Sequence, residues 1–126
     1  MILDTNIIIH LINAEESVLE FFEKNNEEKF SISVITEIEL RMGRKRQQLE
    51  EKELSEILEQ FTILPLNSNV GRLIVDHLER KEIKSLRNTN FQDIIIGCTA
   101  MYMNKPLVTL NTRDFNQFRN LQIITP

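Results

Sequence analysis

The apolar positions of the chain alternate between short runs of the β type and longer stretches at helical spacing. Apolar residues that recur at i, i+3, i+4 and i+7 predict amphipathic helices, whereas short runs rich in Ile, Val and Phe between polar turns predict strands. The pattern predicts strands at residues 2–3, 30–34, 62–66, 107–110 and 121–124, and helices at residues 7–13, 16–25, 36–43, 50–61, 69–81 and 91–103.

Strands that are separated by helices need crossover connections, and such connections place the strands parallel in one sheet. The sequence therefore predicts an α/β fold: one domain over residues 1–126, with a mostly parallel central sheet of four to five strands and helices on both faces. Ligands of open sheets of this kind bind beyond the carboxyl ends of the strands. The residues that follow each strand are therefore the candidates for function.

Composition limits the class and location of the protein. Of its 126 residues, 41% are hydrophobic and 27% charged, as in ordinary soluble globular proteins. No apolar run approaches the roughly 20 residues that span a bilayer, and the first residues lack the basic segment and cleavage site of a secretory signal. The lone Cys98 cannot form an internal disulfide. We therefore expect a cytoplasmic protein without membrane contact, in which Cys98 packs as a small apolar residue.

The charges are unevenly distributed. A net charge of −4 argues against a general nucleic-acid binder, because such proteins usually carry a basic surface. One compact stretch is nevertheless basic and contains Arg41, Arg44, Lys45 and Arg46. This stretch is either the solvated end of a helix, where the helix dipole favours cations, or a contact for nucleic-acid phosphates.

Three polar residues, Asp4, Thr5 and Asn6, follow the first predicted strand directly. Each residue type favours the N-cap of a helix, where the side chain accepts a backbone hydrogen bond. A cap accounts for one such residue but not for three in a row. The location of Asp4 at the carboxyl end of a strand therefore favours a functional role for its side chain.

Two glutamates compete for a role after the second strand. Thr36 and Glu39 have the T-x-x-E spacing of a capping box, which would give Glu39 a purely structural task. Glu37 is the rival acid, and on a helix that begins at Thr36 it lies on the same side as Arg41 and Arg44. The residue pattern alone does not decide between Glu37 and Glu39.

Further acids occur in the second half of the chain. Asp93 lies in the first turn of the most apolar helix, where an acid interacts favourably with the helix dipole. Thr109, Asn111 and Asp114 follow the fourth strand, and a cluster of this kind is common in Asx-turns. Each of these residues has a structural explanation when it is taken singly.

Taken together, acids recur after the first, second and fourth strands and at the start of a buried helix. Carboxylates that lie close together repel one another, and raised pKa values or bound cations relieve that repulsion. Oxygen ligands without clustered Cys or His favour Mg²⁺ or Mn²⁺ over zinc, and such ions could activate water at a phosphodiester. His10 and His77 fall in predicted helices away from these positions.

Four segments resemble the motifs of PIN-domain proteins, and in particular those of VapC-type toxins of toxin–antitoxin pairs. The matching segments are Met-Ile-Leu-Asp4-Thr5-Asn6, Ile-Thr36-x-x-Glu39-Leu-x-x-Gly43, Asp93-Ile-Ile-Ile-Gly-x-x-Ala100 and Val-Thr109-x-Asn111-x-x-Asp114-Phe115. The resemblance spans essentially the whole chain. It departs from the family pattern in a short first strand and in Asn90-Phe-Gln before Asp93, where Pro or Gly is common.

The resemblance implies a single PIN-like domain that acts as an endoribonuclease toxin, depends on Mg²⁺ or Mn²⁺, cleaves RNA phosphodiester bonds and is held inactive by a cognate antitoxin. In the family the catalytic acid precedes Leu and lies four residues before Gly, which favours Glu39 over Glu37. The catalytic, metal-ligating residues would be Asp4, Glu39, Asp93 and Asp114.

The resemblance also implies roles for polar neighbours of the acids. Thr5, Asn6, Thr109 and Asn111 would orient the ligands or a water molecule. Arg41, Arg44, Lys45 and Arg46 would contact RNA or the antitoxin. Because dimers are common in the family, a homodimer is expected.

Two other interpretations compete with this one. A phosphoacceptor receiver domain has a similar size and architecture, but it needs paired acids after the first strand and a phosphorylatable Asp after the third, where this chain has Leu-Pro-Leu-Asn67. A catalytically inactive RNA- or protein-binding module is the second interpretation, and the presence of all four acids argues against it.

Overall fold

Five short strands form one parallel sheet at the centre of the computed structural model, which describes residues 1–80 and 90–126. They are β1 (Ile2–Leu3), β2 (Ser31–Ser33), β3 (Thr62–Leu64), β4 (Leu107–Val108) and β5 (Ile123–Ile124). Their order in the sheet is β3-β2-β1-β4-β5, and every neighbouring pair is parallel. The predicted parallel sheet is confirmed, and β1 lies in its middle.

Seven helices in the described residues connect the strands. They are α1 (Thr5–Ile12), α2 (Glu16–Lys24), α3 (Val34–Met42), α4 (Glu51–Leu58), α5 (Ser68–Arg80), α6 (Phe91–Met103) and α7 (Thr112–Phe115). The predicted end of the fifth helix, Lys81, lies outside the described residues. None of the helices in residues 1–80 and 90–126 is both long and apolar enough to cross a membrane.

The sheet separates two apolar clusters. Ile2 and Leu107 belong to a cluster built with α5 and α6, whereas Leu3 and Val108 belong to one built with α1, α2 and α4. Successive side chains of a strand point to opposite faces of the sheet. Adjacent residues of β1 and of β4 therefore hold helices on both faces, as predicted, and all four of these side chains are fully buried.

Several element boundaries differ from the predicted ones, and three of the differences fall where a strand ends and the next segment begins. α1 begins at Thr5, two residues early, directly after the strand. α3 begins at Val34 because the Oγ atom of Ser33 accepts a hydrogen bond from the backbone N–H of Ile35 at 3.2 Å. β4 ends at Val108, and the segment after it folds into α7, a short helix that the sequence pattern did not predict.

Helix α6 contains a contact that requires glycine. A Cβ atom added at Gly97 would lie 2.5 Å from Cζ of Phe118, closer than real Cβ atoms approach a neighbour. The Phe118 ring is 5% exposed and stacks on the His77 ring at a centroid distance of 4.5 Å. The ring therefore lies directly on the backbone of α6. Next to Gly97, Cys98 is fully buried as predicted, and burial raises the pKa of its thiol to about 11.

Candidate active site

Asp4 lies where β1 ends and α1 begins. Its backbone N–H donates to the carbonyl of Val108 at 2.9 Å, so β4 holds the residue at the edge of the sheet. Its side chain is only 4% exposed and makes no capping hydrogen bond to α1. Instead, its Oδ2 atom accepts a hydrogen bond from Oγ1 of Thr109 at 2.8 Å. Capping therefore does not account for this carboxylate.

The pKa of Asp4 lies above its ordinary value. Burial is the main cause, and the nearby charge of Asp114 raises the pKa further, while the hydrogen bond from Thr109 lowers it. Burial disfavours the charged form of a carboxyl group, and so does a neighbouring negative charge. Asp4 and Asp114 therefore share one electrostatic environment although they are far apart in the sequence.

Thr5 connects α1 to the acid on α3. Its Oγ1 atom donates to Oε1 of Glu39 at 2.9 Å and lies 2.9 Å from Oγ1 of Thr36. A hydroxyl group has one proton to donate, so Thr36 is the donor in the second contact. Thr36 is fully buried inside α3, and the capping-box interpretation of Thr36 and Glu39 is wrong. A chain of two hydroxyl groups instead orients the Glu39 carboxylate.

The two glutamates of α3 have different surroundings. Burial raises the pKa of Glu39, the hydrogen bond from Thr5 lowers it, and the charge of Asp4 raises it. Oε2 of Glu37 accepts hydrogen bonds from Nε and Nη2 of Arg41 at 3.2 and 3.0 Å. Glu39 therefore interacts with Asp4, whereas Glu37 forms an ion pair along its own helix.

Asp93 is the third residue of α6. The helix begins after Asn90, whose side chain accepts a backbone hydrogen bond of the first turn at 2.9 Å. Burial is the main cause that raises the pKa of Asp93, and together with the charges of Asp4, Asp114 and Glu39 it brings the pKa to about 7. The four predicted acids, which come from four separate elements, are therefore close enough to repel one another at one edge of the sheet.

The segment after β4 supports two of these acids. Thr109 is fully buried, donates to Asp4, and accepts the backbone N–H of Asn111 at 2.9 Å. The Nδ2 atom of Asn111 donates to Oδ2 of Asp114 in α7. Thr109 and Asn111, both predicted to orient ligands, thus contact Asp4 and Asp114 directly. The exposed side chain of Asn6, by contrast, forms no hydrogen bond in the described residues.

A groove opens beside Glu39, between α1 and the end of α3, with a volume of about 210 Å³. Its wall is formed by Thr5, Asn6, Ile9, Glu39, Leu40, Gly43, Arg46 and Gln47. The sequence pattern did not single out Gln47, because two adjacent amides in the polar segment after α3 carry no distinctive signal.

The four basic residues near this groove do not act as one patch. Arg41 pairs with Glu37, and Nη1 of Arg44 donates to the carbonyl of Leu49 at 3.0 Å, which ties down the turn after α3. The side chains of Lys45 and Arg46 are exposed and form no hydrogen bond or ion pair in the part of the chain that is described. Of the four, Arg46 lines the groove.

The donor set fits a hard divalent cation, because the four carboxylates offer only oxygen atoms. The acids do not form a closed cage: within residues 1–80 and 90–126, no three His, Cys, Asp or Glu side chains lie close enough together to hold a metal ion. The carboxylates would therefore have to move closer together around an ion.

Comparisons with known proteins identify the family of the chain. The sequence profile of the PIN domain matches residues 1–121. A curated relative, "Ribonuclease VapC" of Rickettsia bellii (strain RML369-C), is 30% identical over 134 aligned positions that cover 99% of this chain and 95% of the relative.

Two solved structures share the fold. A chain of a toxin–antitoxin complex from Klebsiella pneumoniae has a TM-score of 0.77 and 25% identity, with 99% of this chain and 96% of that chain covered. A chain of VapBC2 from Rickettsia felis, bound to a DNA fragment from their promoter, has a TM-score of 0.75 and 24% identity, with 99% and 97% covered. The chain belongs to the PIN-domain family and, within it, to the relatives of the VapC ribonucleases.

Proposed function

We propose that this chain is a Mg²⁺- or Mn²⁺-dependent endoribonuclease that cleaves RNA. The observation that carries the proposal is the convergence of four acids, Asp4, Glu39, Asp93 and Asp114, which together with burial brings the pKa of Asp93 to about 7. Kinship with a protein named as a ribonuclease supports this reaction class.

In the proposed reaction the oxygen of a water molecule bonds to phosphorus as the bond between phosphorus and the 3′ oxygen breaks. The water loses one proton, and the leaving 3′ oxygen gains one. The four carboxylates would hold the divalent ion, which when bound supplies an activated water and stabilises charge on the phosphate. The polar neighbours fix the direction of each ligand: Thr109 holds Oδ2 of Asp4, Thr5 holds Oε1 of Glu39, and Asn111 holds Asp114. Asp93 binds or releases a proton near neutral pH.

The test compares acids that differ in position but not in chemistry. Asp93→Asn and Glu39→Gln should each lower metal-dependent cleavage of single-stranded RNA by about 100-fold or more. Glu37→Gln is the matched control, because Glu37 lies on the same helix but pairs with Arg41, and it should cleave like wild type. Equal activity of Glu39→Gln and wild type would contradict the proposal, provided that both melt cooperatively.

We further infer that the protein acts as the toxin of a toxin–antitoxin pair in the cytoplasm and forms a homodimer. The likeness to a chain of the Klebsiella pneumoniae toxin–antitoxin complex supports this partner. Expression of the wild type should arrest growth, whereas Asp4→Asn should not. Growth arrest by both the wild type and Asp4→Asn would favour an inactive binding module over a nuclease. The homodimer is tested separately, by light scattering of the purified protein.

A further inference from the structure

The groove beside the acids has the features of a nucleobase site. Because Glu39 and Thr5 form part of its wall, a ligand in the groove lies next to the carboxylate of Glu39, one of the four proposed catalytic acids. We propose that the groove binds the base of a nucleotide adjacent to the cleaved phosphate and thereby sets the sequence preference of cleavage. This inference rests on the proposed ribonuclease activity.

The wall offers both kinds of contact that a base needs. Ile9 and Leu40 supply apolar surface for the flat face of a heterocycle, while Asn6 and Gln47 supply carboxamide groups. Each carboxamide has both donor and acceptor atoms. Proteins that recognise single-stranded RNA combine these contacts, packing against the face of a splayed base and forming hydrogen bonds with its edge.

Gln47 is held in position before any ligand binds. The backbone N–H groups of Arg46, Gln47 and Gln48 donate to carbonyls three residues earlier, each at 3.1 Å, so the segment forms consecutive tight turns. The bond from Arg44 to the carbonyl of Leu49 closes this turn. The Gln47 side chain forms no hydrogen bond within the described residues and is therefore available to a ligand. A fixed backbone with an available side chain reduces the entropy lost on binding.

Arg46 is the cation among the described residues that line the groove. A guanidinium group binds phosphate oxygens through a planar set of donors, so Arg46 can hold the phosphate of the nucleotide whose base lies near Gln47. A nucleotide accounts for a cation, two amides and an apolar wall within one small groove that opens beside the acids. RNA is therefore favoured over a peptide as the occupant.

The test uses the full chain, Mn²⁺ and a randomised pool of single-stranded RNA, with the cleavage products sequenced. Wild type should prefer particular bases at one position beside the cut, and Gln47→Ala should reduce that preference about tenfold. Gln47→Glu should shift the preference towards bases that donate at their edge, because a carboxylate only accepts hydrogen bonds. The neighbouring exposed Gln48 does not line the groove, and Gln48→Ala should keep the wild-type preference.

Arg46→Ala should weaken cleavage of all sequences alike, whereas the exposed Lys52→Ala on α4 should not. Identical base preferences in wild type and both Gln47 variants would overturn the inference and leave the ribonuclease intact. If the Gln47 variants keep the wild-type base preference but are inhibited less by an antitoxin, the groove binds a protein partner instead, and the inference is overturned. Absence of cleavage by wild type and Gln48→Ala alike would overturn the ribonuclease proposal itself.

Discussion

Asp93 changes charge near neutral pH, because its pKa is about 7 in the folded protein and 3.8 in the absence of the fold. Between these values the folded chain binds more protons than the unfolded chain, so the free energy of unfolding of the metal-free protein should fall as pH rises from about 4 to 7. Urea denaturation across this range tests the slope. Asp93→Asn should flatten it in part, since the pKa values of Asp4 and Glu39 are also raised.

The same proton affects metal binding. A carboxylate ligand must be deprotonated, so binding of Mn²⁺ should strengthen as pH rises through about 7 and should release protons below it. Calorimetry in two buffers of different ionisation enthalpy measures this release. A proton release equal in wild type and Asp93→Asn would exclude Asp93 as its source.

The hydroxyl of Thr5 supports the site through two partners. Thr5→Val keeps the shape of the side chain, but removes the donor to Glu39 and leaves the buried hydroxyl of Thr36 without its acceptor. We expect a loss of about 1–3 kcal/mol in the free energy of unfolding, together with weaker RNA cleavage. The same substitution at the exposed Thr62 should change neither quantity appreciably.

At this scale the sequence pointed to acids whose charges interact, but not to the hydrogen bonds that hold them. Strand ends and family motifs pointed to Asp4 and Asp114, whose charges do interact. The predicted capping role of Thr36 was wrong. T-x-x-E spacing is typical of a helix start, but this helix is capped by Ser33, and Thr36 is buried within it. A contact between two helices, such as Thr36 with Thr5, leaves no periodic signal in a single sequence.

Among the elements, long periodic helices were predicted more accurately than short ones. The apolar pattern of α6 gave both of its boundaries, Phe91–Met103, because it extends over several turns. α7 has four residues, Thr112–Phe115, and is flanked by Asn111 and Asn116, so this segment equally indicates a turn. Its helical form depends on packing, since Phe115 is fully buried in the apolar cluster.

The packing of α6 gives a prediction that contrasts two glycines. Gly97→Ala should destabilise the protein by about 1–3 kcal/mol, because the new methyl group would displace the buried ring of Phe118. Gly71 lies within α5 with no atom within 4 Å of an added Cβ, so Gly71→Ala should stabilise by about 0.5–1 kcal/mol. Chemical denaturation measures both changes.

A second variant tests whether the contact with Phe118 causes the loss of stability in Gly97→Ala. Phe118→Leu shortens the opposing side chain and should recover part of the stability lost in Gly97→Ala. Strictly additive losses in the double variant would mean that the two sites do not interact. Because Gly97 lies one turn after Asp93, Gly97→Ala should also lower RNA cleavage more than Gly71→Ala does.

For the whole molecule, metal binding should be coupled to folding. If an ion binds only the folded protein, Mn²⁺ at 100 times its dissociation constant should raise the free energy of unfolding by about 2.7 kcal/mol. Asp4→Asn and Asp93→Asn should show a smaller gain, and Glu37→Gln the full gain. Identical melting of wild type and Asp4→Asn with and without Mn²⁺ would exclude Asp4 as a ligand.

The overall architecture followed from the alternation of strands and helices, but the strand order did not. Alternation requires parallel pairing, whereas the position of each strand depends on which helices cover which face. The order β3-β2-β1-β4-β5 places β1 between β2 and β4. Residues after these three neighbouring strands can therefore meet.

The hydrogen bond between Asp4 and Thr109 joins residues that are 105 positions apart, and this separation affects synthesis. The ribosome makes β1 well before it reaches β4. A nascent chain that lacks β4 has neither the Thr109 donor nor Asp114, so it cannot assemble the acids. The translating ribosome is thus not exposed to the assembled acids of its own product until β4 has been made, and fragments that end before β4 should not cleave RNA.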